Sequence, residues 1–258
     1  MSKQPLIFIT NDDGYQAKGI KALIESLRGL GEIVVVAPDG PRSGASNALT
    51  SITPLRFFLH HEEEDLKIYV CNGTPVDCVK LGIGEILGGR LPDLVATGVN
   101  HGSNAAVSVL YSGTMGAAIE GCLFKVPSIG FSLLDHGFDA DFSTSMGVIR
   151  TLCEKVLEEG LPTGTCLNVN IPKGEEVKGL KVARQTKGKW VGEYQKAVDG
   201  GNHPVYWLTG EFQNHEPESR DTDEDALAEG YISVVPVKID MTNHEYIEKM
   251  KHWEKLFW

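Results

Sequence analysis

The chain has 258 residues and a formal net charge of −11, and 41% of its residues are hydrophobic. A chain of that length can bury its own core without covalent cross-links. The negative charge disfavours general binding to nucleic-acid backbones and anionic membranes, because both attract basic surfaces. No apolar run approaches the roughly 18 to 20 residues of a membrane-spanning helix, and the first residues lack a secretory-signal pattern. We therefore expect a cytoplasmic protein that binds neither a nucleic-acid duplex nor a membrane.

The five cysteines are an odd number, and no two of them form a C-x-x-C pair. Several lie within apolar runs, where cysteine usually behaves as a small hydrophobic side chain. We expect reduced core residues here, rather than disulfides, a zinc site or a redox site. The cysteines are Cys71, Cys78, Cys122, Cys153 and Cys166.

The first part of the chain alternates between strand and helix patterns. Leu6–Thr10 and Glu32–Pro38 are continuous apolar runs of the kind that form fully buried strands. Between them, apolar residues recur at helical spacing, at Ile20, Leu23, Ile24, Leu27 and Leu30. Buried strands that alternate with helices are typical of a parallel sheet covered by helices on both faces.

The alternation continues to about residue 172. Its predicted elements are a strand at Asp93–Val99, a helix from Thr114 to Phe124, a strand at Ser128–Leu133, a helix containing Met146, Ile149, Leu152, Cys153, Val156 and Leu157, and a strand at Cys166–Pro172. The predicted fold is an α/β, three-layer, mostly parallel, doubly wound sheet of Rossmann-like type, with a C-terminal β-hairpin and arm.

The C-terminal third has a different pattern. Its strand-like segments are Leu180–Arg184, Pro204–Phe212 and Gly230–Val237, and an amphipathic helix pattern runs from Asn243 to about Leu256. We expect residues 1–258 to form a single domain, in which residues from about 180 to 258 make a hairpin and an arm for subunit contacts. The arm ends in apolar residues that favour burial. These are Trp253, Leu256, Phe257 and Trp258.

Asn11-Asp12-Asp13-Gly14 directly follows the first predicted strand. In open parallel sheets, ligands bind beyond the carboxyl ends of the strands, near the point where the strand order reverses. Two adjacent carboxylates repel each other there unless a cation lies between them. The tetrapeptide alone leaves two interpretations open: a divalent metal site, or an aspartate that caps the following helix.

Two further loops that follow predicted strands are rich in glycine, serine and asparagine, namely Pro38–Asn47 and Gly98–Asn104. Such loops suit an anion or a metal-bound phosphate, although the same residues also make ordinary turns. Because three such loops follow separate strands, we expect them to converge on one site. Gly44 and Asn104 are the residues that we expect to contact the substrate there.

The segment Tyr111–Glu120 indicates the start of a helix near these loops. Ser112 or Thr114 can cap it, and the free amides of a helix N-terminus attract phosphate. An ordinary capped helix without a ligand is the alternative. Other catalytic motifs are missing: Gly82-Ile83-Gly84 lacks the third glycine of a dinucleotide fingerprint, and the sequence has no Walker motif, G-x-S-x-G elbow or H-E-x-x-H motif.

Several motifs occur along the chain in a fixed order. They are Thr10–Gly14 (TNDDG), Ala37–Asn47 (APDGPRSGASN), Asn72–Val79 (NGTPVDCV), Gly98–Asn104 (GVNHGSN), Tyr111–Gly121 (YSGTMGAAIEG) and Leu167–Pro172 (LNVNIP). Later likenesses are Tyr206-Trp207-Leu208, Thr222-Asp223 and Gly230–Pro236. Together they resemble the SurE family, the stationary-phase survival proteins that act as metal-dependent nucleotidases.

The resemblance implies a set of site residues. Members of the family hold a divalent cation with two adjacent aspartates, a serine and an asparagine. By motif position these ligands fall on Asp12, Asp13, Ser43 and Asn100. The turn that holds the phosphate corresponds to Ser112, Gly113 and Thr114. The resemblance also implies a homodimer or homotetramer with the C-terminal arm exchanged between subunits.

The sequence also departs from the family pattern. The family often has an acidic residue at the position of Ser108 and an arginine-rich loop where Gly40-Pro41 stands. The turn before Tyr206 is altered as well, to Asp199–Pro204. These differences bear on the substrate preference rather than on the metal ligands.

Electrostatics favours a metal independently of the resemblance. A phosphate dianion about 4 Å from two carboxylates makes four like-charge pairs of roughly 4 kcal/mol each. Arg42 is the only Lys or Arg in these motifs, so a cation is needed to admit the substrate. Carboxylates with neutral oxygens suit Mg²⁺ or Mn²⁺, whereas zinc prefers nitrogen and sulfur. We expect one such divalent cation per subunit.

We therefore predict an enzyme, a 5′-nucleotidase that hydrolyses nucleoside 5′-monophosphates, and also 3′-monophosphates, to nucleoside and phosphate. Asp12 and Asp13 are its expected catalytic residues, one of which positions or deprotonates the attacking water. An aspartyl-phosphate intermediate is the alternative chemistry. The alternative functions are a non-catalytic nucleotide or divalent-ion binding module, a broader phosphatase or exopolyphosphatase, and a doubly wound redox domain.

Overall fold

A large central sheet dominates this computed structural model, which describes residues 4–137, 139–174 and 177–257. The strands of this sheet are β1 (Leu6–Thr10), β2 (Glu32–Pro38), β3 (Phe57–Glu62), β4 (Leu66–Cys71), β5 (Leu94–His101), β6 (Ser128–Leu133), β7 (Thr165–Ile171), β8 (Leu180–Val182) and β13 (Ile232–Lys238). Strands β9 (Gly188–Val191), β10 (Tyr194–Val198), β11 (Pro204–Leu208) and β12 (Glu211–Asn214) lie outside it.

The strand order is β3-β4-β2-β1-β5-β6-β7-β13-β8. The run from β4 to β7 is parallel throughout, whereas β3 and β13 run antiparallel to β4 and β7. After β1 the chain extends the sheet in one direction through β2 and β4, and from β5 it extends the sheet in the other. The order therefore reverses between β1 and β5, which is the place where doubly wound sheets bind ligands.

Helices cover both faces of this sheet. They are α1 (Lys18–Leu27), α2 (Pro75–Leu81), α3 (Gly113–Leu123), α4 (Ser143–Glu159), α5 (Asp223–Ala228) and α6 (His244–Met250). Successive side chains of a strand point to opposite faces. Accordingly, Ile7 and Ile9 pack with α1 and α4 in one apolar cluster, while Leu6 and Phe8 pack with α2 and α3 in another. The predicted three-layer α/β fold is confirmed.

The bounds predicted for β1, β2 and β6 match the structure, and β7 is displaced by one residue. Strands β3 and β4 were not predicted. Every residue of β3 is exposed at the edge of the sheet, so no buried face marks it in the sequence. The prediction that the five cysteines are core residues is confirmed, since all five are buried.

One long hairpin leaves the sheet between residues 188 and 214. Its base is the antiparallel pair of β9 and β12, and its outer part is the pair of β10 and β11. The predicted single strand Pro204–Phe212 is wrong, because the chain bends at Thr209-Gly210. Gly210 has φ +118°, which ends one strand before the next begins, and the Thr209 N–H donates to the Glu193 carbonyl across the bend at 2.8 Å.

The terminal segment lies on the surface. Asn243 caps α6 by accepting a hydrogen bond from the Tyr246 N–H at 3.1 Å, and no residue of α6 is buried. The predicted helix continues beyond Met250 as a 3₁₀ turn, Lys251–Phe257. Trp258 and the side chain of Phe257 lie outside the described residues. Among the helices of the described residues, none has both the length and the apolar character needed to cross a membrane.

Candidate metal and phosphate site

The two aspartates lie where the strand order reverses. β1 pairs with β5 through the register of Thr10 with Thr97, so the residues that follow β1 emerge beside the end of β5. Asp12 is only 3% exposed, and Asp13 is half-buried. The helix-capping alternative is excluded, because α1 begins after Ala17 and has no side-chain cap.

Asp12 is held from the side of α3. The Thr114 hydroxyl donates to Asp12 Oδ1 at 2.6 Å, and Gly113 lets the backbone come close. A Cβ at Gly113 would lie 2.8 Å from the Asp12 Cβ, a distance that real side chains do not tolerate. Burial raises the pKa of Asp12 from 3.8 to about 6, the Thr114 hydrogen bond opposes that rise, and the charge of Asp13 adds to it. A nearby cation would remove the cost of ionising this carboxyl.

Asp13 is held from the side of β5. Its Oδ2 accepts a hydrogen bond from the His101 N–H at 3.3 Å. Burial raises the pKa of Asp13, and this hydrogen bond lowers it. The two neighbouring carboxyls are thus fixed by different elements, and each is pushed towards its protonated form by burial.

The loop after β2 reaches the same place. The Arg42 N–H donates to the Asp12 carbonyl at 2.6 Å, which brings Ser43 and Gly44 to the cleft. The Arg42 guanidinium pairs with Asp39 at 2.6 Å, so its charge is already partnered. Ser46 then donates its N–H to the Tyr111 carbonyl at 3.1 Å, which fastens the loop near the start of α3.

The loop after β5 carries two asparagines with different surroundings. The Asn100 side-chain amide donates to the Gly102 carbonyl at 2.9 Å, which leaves its side-chain oxygen as the atom that can face a metal. The Asn104 side-chain amide donates to the Ser132 hydroxyl at 2.7 Å. Asn168 and Asn170 hold the Asn104 backbone, with hydrogen bonds of 2.8 Å to its carbonyl and from its N–H. The motif Leu167–Pro172 therefore serves to fix this loop.

The start of α3 completes this side of the cleft. Ser112 caps the helix by accepting from the Met115 N–H at 3.0 Å, so Ser112 rather than Thr114 is the cap. Six of the nine residues predicted for the site line one cleft of about 560 Å³, namely Asp12, Ser43, Gly44, Asn100, Asn104 and Ser112. Asp13 lies beside them through its contact with His101, and Gly113 and Thr114 support Asp12 from behind.

The sequence of this chain is similar to those of known proteins. The sequence pattern of the family described as "Survival protein SurE" matches residues 7–192. The chain belongs to the SurE family. It is 52% identical to the 5′-nucleotidase SurE of Phocaeicola vulgatus over 97% of each chain. It is 51% identical to the 5′-nucleotidase SurE of Bacteroides fragilis, over 98% of this chain and 99% of that one.

A solved structure shares the fold. The SurE protein from Aquifex aeolicus is 39% identical and superposes with a TM-score of 0.81, covering 97% of this chain and 100% of that one. The resemblance to the SurE family that the motifs indicated is therefore confirmed, and so is the α/β fold that it implied.

The donor set fits the divalent cation expected for a member of the SurE family. Among the described residues, no group of three or more histidine, cysteine, aspartate or glutamate side chains could hold a metal. The candidate ligands are instead the Asp12 carboxylate with the neutral oxygens of Ser43 and Asn100 in the same cleft, and the Asp13 carboxylate beside it. Such a set, completed by water and phosphate oxygens, suits Mg²⁺ or Mn²⁺ and not zinc.

Several further residues that were not predicted for the site also line the cleft. His101 and Tyr111 lie within quoted motifs without an expected role, and Ser108 was noted only as a departure from the family pattern. The hairpin adds Trp190, Glu193, Tyr194, Leu208 and Thr209. Two signals in the sequence pointed to the hairpin: the likeness at Tyr206-Trp207-Leu208 and the altered turn at Asp199–Pro204. Nothing in the local pattern shows that a segment about 80 residues after the last site loop folds back over it.

Proposed function

We propose that this member of the SurE family is a 5′-nucleotidase, a phosphatase that hydrolyses nucleoside 5′-monophosphates, and also 3′-monophosphates, to nucleoside and phosphate. The observation that carries the proposal is the pair Asp12 and Asp13 at the reversal of the sheet. Asp12 is buried and shares one cleft with Ser43, Asn100 and Ser112, and Asp13 is half-buried beside it. The names of the relatives in Phocaeicola and Bacteroides support it.

Asp12, Asp13, Ser43 and Asn100 would hold one Mg²⁺ or Mn²⁺ ion per subunit. When bound, such an ion polarises phosphoryl oxygens and lowers the pKa of a coordinated water. Asp12 is buried and accepts a hydrogen bond from the Thr114 hydroxyl. This bond orients one carboxylate oxygen before a cation binds. The backbone hydrogen bond from His101 orients Asp13 in the same way.

The side chains around the phosphate would stabilise its developing charge and activate the attacking water. Ser112, at the N-terminus of α3, lines the cleft, where its hydroxyl and the positive end of the helix would stabilise the charge that develops on the phosphoryl oxygens. One carboxylate of the pair positions the attacking water and accepts its proton. Water is the expected nucleophile because both carboxylates are committed to the cation. Oxygen-18 from solvent appearing in an aspartate side chain would instead identify an aspartyl-phosphate.

A polyphosphate substrate is less well supported. A chain of phosphates needs positive charge beyond the first phosphate. The described residues that line the cleft include neither Lys nor Arg, and Glu193 adds a negative charge at its far end. This distribution favours a single phosphate attached to a neutral group.

We also propose a homodimer or homotetramer that works in the cytoplasm. The exposed apolar residues of the terminal segment support the assembly, since Ile247 is 42% exposed and Trp253 is 51% exposed. The five free thiols support a reducing compartment. Removing residues 243–258 should shift the sedimentation coefficient towards that of the monomer, and an unchanged profile would contradict the arm's role.

The test is phosphate release from nucleoside 5′- and 3′-monophosphates in EDTA, Mg²⁺ or Mn²⁺. We expect turnover that depends on the metal and that falls at least about a hundredfold in Asp12→Asn. Asp65→Asn is the matched control, because Asp65 is partly exposed and precedes β4 at the opposite end of the strands. Binding of nucleotide without phosphate release would favour the binding module.

A further inference from the structure

The hairpin forms a second wall of the cleft, opposite the residues that hold the metal. Tyr194 and Leu208 are directly paired across β10 and β11, so their side chains point to the same side, and both line the cleft together with Trp190 from the base of the hairpin. Tyr194 is 70% exposed and Leu208 is 73% exposed. These large side chains therefore face an open space that the chain itself does not fill.

Trp190 is held in place from behind. Its ring packs edge-to-face on Phe212 with centroids 6.2 Å apart, and the two residues are paired across β9 and β12. Hydrogen bonds just before β9 also hold the hairpin. Buried Asp223 accepts one from the Thr186 N–H at 2.9 Å and one from the Ala106 N–H at 2.8 Å. One carboxylate thus ties the root of the hairpin to the loop that follows β5.

The two ends of the cleft differ in chemistry. The sheet end offers carboxylates, amide groups and hydroxyls, which suit a cation and a phosphate. The hairpin end offers an indole, a phenol and an isobutyl group, with the carboxylate of Glu193 beside them. An anion gains nothing at the hairpin end, whereas a flat, neutral, aromatic group can stack on the exposed rings.

We propose that Trp190 and Tyr194 form the nucleobase subsite, so that the base of a nucleoside monophosphate stacks on the hairpin while its phosphate lies at the sheet end. This inference rests on the proposed nucleotidase function and adds the element that selects nucleotides over other phosphate monoesters. Because any base has an aromatic face, stacking of this kind accepts purines and pyrimidines alike. The hairpin is therefore the specificity element of the cleft.

The test compares two substrates that differ only in the base. The kcat/KM for adenosine 5′-monophosphate is divided by the kcat/KM for ribose 5-phosphate, in Mn²⁺. We expect this ratio to fall about tenfold in Trp190→Ala and by about threefold or more in Tyr194→Ala, mainly through KM. Trp207→Ala is the matched control, because Trp207 is 66% exposed on the opposite face of the same hairpin and lies outside the cleft lining.

Equal losses for both substrates in Trp190→Ala and Tyr194→Ala would overturn the subsite while leaving the nucleotidase function intact. A ratio that changes as much in Trp207→Ala would also overturn it, since the hairpin would then act through assembly or overall stability. If the wild type released no phosphate from any nucleotide, the proposed function would fail. Calorimetric binding of adenosine to wild type and Trp190→Ala then decides the subsite, with an affinity loss of about tenfold expected and no loss contradicting it.

Trp190→Ala removes a half-buried ring and could disturb the hairpin. Trp190→Phe keeps an aromatic face, and we expect it to restore most of the substrate ratio. Tyr194→Ala tests the subsite without disturbing the fold, because a side chain that is 70% exposed contributes little to stability. One outcome would assign Trp190 a structural role only. In that outcome, Trp190→Ala loses activity with both substrates, while Tyr194→Ala and Trp190→Phe keep the wild-type ratio of kcat/KM values.

Discussion

The sheet half and the hairpin half of the cleft are built in opposite ways. On the sheet side, Asp12 is 3% exposed and Asn104 is 5% exposed, and each makes a buried side-chain hydrogen bond of 2.6 or 2.7 Å. On the hairpin side, Tyr194 and Leu208 are largely exposed, and the backbone ladder of β10 and β11 holds them.

This difference matches two kinds of work. Holding a cation and an attacking water demands atoms fixed to within a fraction of an ångström, and buried networks provide that order. Stacking a base demands only a flat apolar face at about the right height, which an exposed ring on a short ladder supplies. We infer that chemistry is concentrated on the sheet side and selection on the hairpin side.

The largest effect is expected where the two halves are joined. Asp223→Ala removes the acceptor of the Ala106 and Thr186 N–H groups and of the Thr186 hydroxyl. Because these donors become buried without partners, we expect the free energy of unfolding to fall by about 3 to 4 kcal/mol. Urea denaturation measures this. A change below about 1 kcal/mol would mean that the halves are not joined through this carboxylate.

The next prediction concerns the ionised Asp12 carboxylate, which should destabilise the folded protein when no cation is bound. In EDTA at pH 7, Asp12→Asn should stabilise the protein by up to about 3 kcal/mol, since the pKa of Asp12 is raised from 3.8 to about 6. The charged form is disfavoured in the folded state, so the penalty is full above pH 6 and is relieved as the pH falls from 6 towards 3.8.

The advantage of Asp12→Asn should therefore shrink steadily over that pH range in denaturation experiments. Added Mn²⁺ should reverse the order of stability, because only the wild type gains from binding the ion. A metal-free Asp12→Asn protein that is less stable than the wild type at pH 7 would contradict the account of a strained, pre-arranged carboxylate.

A smaller effect comes from the support behind Asp12. Thr114→Val removes the hydroxyl that donates to Asp12 Oδ1, and we expect the affinity for Mn²⁺ to fall about tenfold to a hundredfold. Calorimetric titration measures it. Thr151→Val is the matched control, because Thr151 is exposed on α4 and its hydroxyl donates only to the Gly147 carbonyl. Equal affinities in all three proteins would show that Thr114 does not orient the ligand.

The smallest effect should come from the outer hairpin. Trp207→Ala should change the free energy of unfolding by less than about 0.5 kcal/mol, since Trp207 is 66% exposed. A fall of more than about 2 kcal/mol in the free energy of unfolding would mean that the hairpin contributes to the stability of the fold. The two halves would then not differ in the way described.

The same contrast explains what the sequence could predict. Leu6–Thr10 and Glu32–Pro38 were predicted to the residue, because strands buried on both faces are continuous apolar runs with sharp ends. The convergence of the loops followed from their position after parallel strands. The edge strand Phe57–Glu62 was missed, because an exposed strand needs no apolar alternation.

The contribution of the hairpin to the cleft could not be predicted in the same way. Trp190 and Tyr194 reach the cleft through the bend at Gly210 and the fastening at Asp223, which are contacts between segments far apart in sequence. The division of roles between Ser112 and Thr114 also depends on the three-dimensional fold. Both can cap a helix, and only the fold shows that Ser112 does so while Thr114 bonds to Asp12.

The central claim is that the carboxylate pair holds the cation on which turnover depends. The most direct measurement follows Mn²⁺ binding and phosphate release from adenosine 5′-monophosphate in the same titration of metal-stripped protein. We predict that turnover rises in proportion to the occupancy of one Mn²⁺ site per chain, and that both are lost in Asp12→Asn. Turnover by the metal-free protein, or Mn²⁺ binding by Asp12→Asn with wild-type affinity, would contradict that claim.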